Sequence, residues 1–166
     1  MKKTNGKFAL IICGPIVSGK STITEKISKE IKIPLISETT IGNYYKIIDY
    51  IDPFKYPCAI YEHCYIYKKW YVFQSLYLKT HTFILNPSDK IITKNYLKRK
   101  ISDSAGDYLK TDPIKQRDEI LSDVYNIKPQ FSQRNHKLTI ININHYSDYL
   151  LIRNKIILLY VKICKH

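Results

Sequence analysis

The first strongly apolar run, Phe8 to Cys13, is continuous rather than alternating and too short for a helix, which predicts a strand buried on both faces. Four further runs have the same character: Ile33 to Ser37, Cys58 to Tyr61, Thr82 to Leu85 and Leu138 to Ile143. Between them the apolar spacing changes to that of helices. Ile23, Ile27 and Ile31 predict one face of a helix over Ser21 to Ile31. Trp70, Phe73 and Tyr77 fall near helical spacing in the aromatic-rich segment Tyr65 to Leu78, and Ile120, Leu121 and Val124 do so within Lys115 to Tyr125. Leu150, Leu151, Ile157 and Leu158 predict a closing helix over Ser147 to Ile163. Continuous apolar strands separated by helical stretches imply a parallel sheet covered on both faces, a three-layer α/β arrangement. No repeat, low-complexity stretch or linker interrupts the pattern, so residues 1–166 read as a single domain.

Composition narrows this picture in three ways. The chain is 45% hydrophobic yet holds no run of about 18 apolar residues, so no membrane span is expected. Met1 to Asn5 leads directly into the first strand with no signal peptide, and a cytoplasmic setting is expected. Four cysteines (Cys13, Cys58, Cys64, Cys164) stand far apart without C-x-x-C spacing and read as reduced thiols rather than a metal site. The charge is lopsided, with 27 Lys plus Arg against 14 Asp plus Glu, a formal +13. Such a balance suits nucleic acid or phosphorylated small molecules. Abundant Ile, Asn and Tyr beside Lys indicate coding biased towards A and T, so the preferred reading is a solvated cationic surface with a polyanionic ligand in one cleft.

That ligand is indicated by Gly14-Pro15-Ile16-Val17-Ser18-Gly19-Lys20-Ser21-Thr22, which fits G-x-x-x-x-G-K-[ST] between a predicted strand and a predicted helix. Gly14 and Gly19 let the backbone bend so that successive N–H groups converge on phosphate oxygens at the positive end of the helix dipole. Lys20 would reach the β- and γ-phosphates of ATP, and the Ser21 hydroxyl would ligate Mg²⁺. Ligands of open α/β sheets bind outside the carboxyl ends of the strands. The ends gathered there are the loop, Glu38 after the second strand, Glu62-His63 after the third, and a lid-like stretch after Asn86. Lys94, Lys98, Arg99 and Lys100 form a charge run in that stretch, followed by the loop-like Ser102 to Asp107. Arg99 is the best candidate to meet phosphate, with Arg117 and Arg134 behind it.

In this order of elements the chain resembles the P-loop nucleoside and nucleotide kinases, particularly the deoxynucleoside kinase and thymidylate kinase group. The resemblance implies a P-loop NTPase fold with about five parallel strands, helices on both faces and a short basic lid. It implies that Glu38 takes the proton of the acceptor hydroxyl, and that Glu62 contacts Mg²⁺ or the acceptor. His63 stands where the family carries Arg, and Asn144 to Asp148 corresponds to its adenine-contacting loop. The stretch between Glu38 and Pro57 is shorter than in full deoxynucleoside kinases, so base-reading roles are not carried to Trp70 or Gln74, and Trp70 reads as a core anchor. The activity implied is transfer of the γ-phosphoryl group of Mg-ATP to a nucleoside or nucleoside monophosphate, with Lys20, Glu38, Glu62 and Arg99 as catalytic residues. Two alternatives stay open: a polynucleotide 5′-end kinase, and a catalytically degenerate ATP-binding protein. The aromatic segment Tyr65 to Tyr77 could serve a homodimer or fill the core.

Overall fold

A computed structural model describes residues 6–37, 47, 49–102, 111–131 and 135–164. Five strands form one parallel sheet: β1 (Gly6–Cys13), β2 (Leu35–Ser37), β3 (Cys58–Glu62), β4 (Tyr77–Pro87) and β5 (His136–Ile143), in the order β2-β3-β1-β4-β5. The helices are α1 (Lys20–Ile31), α2 (Trp70–Leu76), α3 (Asp89–Ser102), α4 (Pro113–Ile127) and α5 (Asp148–Cys164), with 3-10 turns at Ile66–Lys69 and Lys128–Phe131. None of these helices is long and apolar enough to cross a membrane.

The continuous apolar character of β1 is explained by its central place. Phe8, Leu10 and Ile12 face one layer with Ile23 and Ile27 of α1 and Ile152 and Ile156 of α5. Ala9, Ile11 and Cys13 face the other with Phe73 of α2 and Ile120 and Val124 of α4. A strand sandwiched in this way has no polar face to show in its sequence. Cys13, Cys58 and Cys64 are free thiols, and burial pushes the Cys13 thiol far above its ordinary pKa.

β4 is the strand whose start differs most from expectation. It begins at Tyr77 rather than Thr82, because Tyr77 is buried and its hydroxyl meets that of Tyr61 at 2.7 Å and donates to the Tyr56 carbonyl at 2.9 Å. Leu78 and Lys79 are exposed, so this first part lacks the continuous apolar signal of a buried strand. At its other end, pairing of Pro87 with Ile143 carries the strand past the polar Asn86. Trp70 is half-buried and outside both buried clusters, so it is not the core anchor expected of it; its ring lies tilted against that of Phe131, with centres 5.7 Å apart. Asp112 caps α4, accepting from the Ile114 and Lys115 N–H groups at 2.9 and 3.3 Å, with Pro113 in the first turn where no N–H is needed.

A buried imidazole makes the β4–β5 seam acid-sensitive. His81 stacks on Phe83 at 4.1 Å and bonds Thr139 Oγ1 at 2.8 Å. Burial, with Lys137 and Lys155 adding to it, pushes its pKa down to about 4. The unfolded chain therefore takes up this proton first, between about pH 6.5 and 4. Stability is full above that window and falls as the pH drops through it, by up to about 3 kcal/mol. Urea midpoints at pH 7, 5 and 4 should show this loss, and His81→Gln should reduce it without abolishing it, because His63 and His136, also held low by burial, keep their own shares. An acid loss in the variant as large as in the parent chain would assign the whole effect to those other groups.

Candidate active site

The phosphate loop leaves the carboxyl end of β1, flanked on either side by β3 and β4, where the connections diverge to opposite halves of the sheet. Gly14 lies at φ 151°, and a Cβ there would stand 3.0 Å from the Leu85 carbonyl oxygen. Gly19 lies at φ 82°, and a Cβ there would stand 2.7 Å from the Tyr149 ring. These two glycines are needed for backbone shape and close approach together.

The loop's residues are not all alike in position. Ile16 through Thr22 line a cavity of about 1460 Å³, whereas Gly14 and Pro15 are buried beneath it and shape the turn. Lys20 is buried, and its Nζ donates to the Pro15 carbonyl at 2.8 Å. Ser21 Oγ makes a long hydrogen bond of 3.4 Å to Glu62 Oε2. Glu62 ends β3, level with Ile12 of β1 and Ser37 of β2, and is buried. A hydroxyl and a carboxylate this close are hard oxygen donors, and Mg²⁺ is commonly held by one or two such protein groups together with phosphate oxygens and water.

A further part of the wall comes from α3, whose Asn95, Lys98 and Arg99 line the cavity. The expected basic stretch is thus a regular helix over Lys94 to Arg99; Lys94 instead places its ammonium 5.0 Å from the Tyr146 ring centre. Lys26, Lys29 and Arg153 also line the cavity, Arg153 paired with Glu30. Among the described residues, six cationic side chains and two carboxylates border this space, a balance suited to a polyanion.

Other expected residues fare differently. Glu38 and Arg134 lie outside the described residues, as does the Lys100 side chain. Arg117 pairs with Asp89 and Asp118 and donates to the Pro87 carbonyl at 3.2 Å, beside a smaller pocket of about 290 Å³. It does not border the loop cavity. His63 does, but not as the cation its place suggested. Burial first, and then Lys20, push its pKa down to about 4, and its Nδ1 accepts from the Tyr65 N–H at 3.1 Å. It is a neutral imidazole at neutral pH. From the segment Asn144 to Asp148, Tyr146 lines the cavity, while Asp148 accepts from the Asn144 and His145 N–H groups.

Three residues that hold the loop were not anticipated. Gln116 Oε1 accepts from the Ile16 N–H at 2.7 Å, Asn95 Nδ2 donates to the Val17 carbonyl at 2.9 Å, and the Tyr149 hydroxyl donates to the Ser18 carbonyl at 2.8 Å. For Gln116 a signal existed: it is the polar member of the buried stripe Pro113, Gln116, Ile120 and Val124. Asn95 and Tyr149 carried none.

With the loop and its cavity described, comparison with solved structures becomes informative. A sugar kinase from Janibacter is similar over 95% of this chain and 96% of its own, at 12% identity and a TM-score of 0.57. Shikimate kinase from Acinetobacter baumannii, in complex with shikimate, is similar over 96% and 95%, at 10% identity and 0.56. Kti12 from Chaetomium thermophilum, in complex with ADP-AlF3, covers 89% and 96%, at 10% identity and 0.56. The fold is that of the P-loop kinases. At these identities the likeness concerns the fold, and it does not single out the deoxynucleoside or thymidylate kinase group. No protein-family model matches the chain, and no curated protein matches it.

The contact between Gly19 and Tyr149 yields a direct test. Gly19→Ala puts a methyl into the Tyr149 ring and an L-residue at φ 82°. The backbone part alone costs about 1–2 kcal/mol, so the melting temperature should fall by roughly 2–8 °C. ATP affinity should fall by about tenfold or more as the Tyr149 bond to Ser18 is displaced. Adding Tyr149→Ala relieves the steric part only. Unchanged melting and affinity in Gly19→Ala would mean that this approach of helix and loop does not exist in solution.

Proposed function

We propose that residues 1–166 act as one kinase domain, transferring the γ-phosphoryl group of ATP to the hydroxyl of a small acceptor. The observation that carries this reading is that Lys20, Ser21 and Glu62, with Ser21 bonded to Glu62, line the same cavity as Lys98 and Arg99. Lys20 and the loop amides hold the triphosphate, and Arg99 neutralises charge on the transferring group. Ser21 and Glu62 would hold Mg²⁺, which when bound offsets the charge on the phosphate oxygens. Glu38 takes the acceptor proton in this scheme, a role that rests on its place in the sequence. Little covalent chemistry is asked of the protein; position and electrostatics carry the rate.

The finer reading is a nucleoside or nucleoside monophosphate acceptor, supported by the order of chemical residues along the strand ends. Neighbours in fold are a shikimate kinase, a sugar kinase and a gluconokinase, which widens the trial to other small hydroxyl compounds. One observation favours a second reading, a polynucleotide 5′ end as acceptor: the cationic rim continues beyond the loop through Lys26 and Lys29.

The experiment is ADP release from Mg-ATP, screened across nucleosides, their monophosphates, shikimate, gluconate, sugars and a 5′-hydroxyl oligonucleotide. Stimulation by one small acceptor names the substrate class. Stimulation by the oligonucleotide alone, weakening steeply with salt, selects the second reading. ATP binding with silence from every acceptor would overturn the kinase assignment.

A further inference from the structure

Val17, at the apex of the phosphate loop, has φ 55°. A β-branched residue in this left-handed region is strained, and the surroundings must over-determine it if it is to stay. Here they do. The N–H of the preceding Ile16 is held by Gln116 at 2.7 Å, and the Val17 carbonyl is held by Asn95 at 2.9 Å. Both holding side chains are themselves fixed from behind. Gln116 is buried and its Nε2 donates to the Tyr65 hydroxyl at 3.0 Å; Asn95 Oδ1 accepts from the Tyr146 hydroxyl at 2.7 Å. Neither amide can turn over without giving up a second bond.

We propose that Gln116 and Asn95 are positioning residues that hold the strained Ile16–Val17 apex in the shape that binds phosphate. The proposal rests on the reading of this loop as an ATP site. The amides that would meet phosphate follow Val17 in the chain, so relaxation of its φ rotates the peptide planes that aim them. The two residues sit on α3 and α4, the helices that precede and follow residues 103–110. The shape of the ATP loop is therefore set by two helices, of which α3 also lines the cavity, and a displacement of either changes nucleotide affinity with no residue of the loop altered.

Strain-holding differs from ordinary packing in one measurable way: it becomes unnecessary when the strained residue is glycine, which adopts positive φ without penalty. ATP affinity is measured by calorimetry for Gln116→Met, which keeps volume and removes both bonds, and for Asn95→Ala. Each is made in the parent chain and in Val17→Gly, with melting curves to verify folding. In the parent chain each substitution should weaken ATP binding about tenfold. In the Val17→Gly background each should weaken it by less than about twofold. Equal losses in both backgrounds, or no loss in the parent chain, would overturn the proposal.

Hydrogen exchange at the Ser18 amide, which bonds the Pro15 carbonyl at 3.3 Å across the apex, needs no nucleotide. It should quicken in Gln116→Met and return towards the starting rate when Val17→Gly is added to that variant, judged against Val17→Gly alone. Unchanged exchange overturns the clamp. A parent chain that fails to bind ATP while the exchange behaves as expected would overturn the kinase reading and leave the clamp standing.

Discussion

Lys20→Ala should lower phosphoryl transfer about a thousandfold, the scale expected when one preorganised charge is removed from developing negative charge, while the chain stays folded. Lys20 is the first residue of α1 and is 7% exposed. Its ammonium is held at the helix end where a positive group is not favoured, against the Pro15 carbonyl. A cation kept there at a cost to stability is explained by a ligand whose phosphate oxygens replace that carbonyl. Alanine removes the charge and opens space at the cavity wall rather than in the core, so the melting temperature should shift by only a few degrees. Lys20→Arg should fail as well, since a planar fork cannot occupy the place of a compact ammonium. Coupled ADP release and thermal melts of the two variants check this. Activity at a tenth of the parent level in Lys20→Ala would sink the assignment of the loop.

What the chain revealed of itself follows the range of the interactions involved. The loop with β1 and α1 was legible because strand, glycine turn and helix are neighbours in sequence, and each leaves its own local pattern. The end of β3 was legible too: Glu62 after an apolar run is a carboxylate at a strand edge, and the structure puts it 3.4 Å from Ser21. The start of β4 was not, because Leu78 and Lys79 are both exposed between the buried Tyr77 and Thr80, and the stretch reads as the tail of the aromatic helix before it.

The loop's supports were the least legible. Gln116, Asn95 and Tyr149 reach it across 100, 78 and 131 positions, and a single sequence carries no trace of such pairs. Electrostatic character depended on tertiary surroundings in the same way. His63 stood where the resemblance places an arginine, yet burial, with Lys20 beside it, pushes its pKa down to about 4. Arg117 read as a candidate behind Arg99 until its guanidinium was found paired with two aspartates. The residue type gives the chemistry available; the neighbours decide whether it is used.

Glu62→Gln separates a metal-holding carboxylate from a structural one. The amide keeps the size of the side chain and an oxygen to accept from Ser21 Oγ, removes the charge and turns the other oxygen into an N–H donor. If Glu62 serves chiefly to fix the first turn of α1 through Ser21, the substitution should leave activity and its Mg²⁺ dependence nearly unchanged, because that hydrogen bond survives. If it holds Mg²⁺ with Ser21, turnover should fall by about 10²–10³-fold. The Mg²⁺ concentration needed for half-maximal ATP binding should then rise at least about tenfold. Binding of ATP without Mg²⁺ should hold or improve, since a negative charge has left a cavity built for a polyanion. Melting should shift little in either direction, because the amide fills the same buried volume. Calorimetric titration of ATP with and without Mg²⁺ reads both arms in one preparation. A variant with lower turnover but an unmoved Mg²⁺ midpoint would place Glu62 on the acceptor side of the cavity instead, next to the hydroxyl that is phosphorylated.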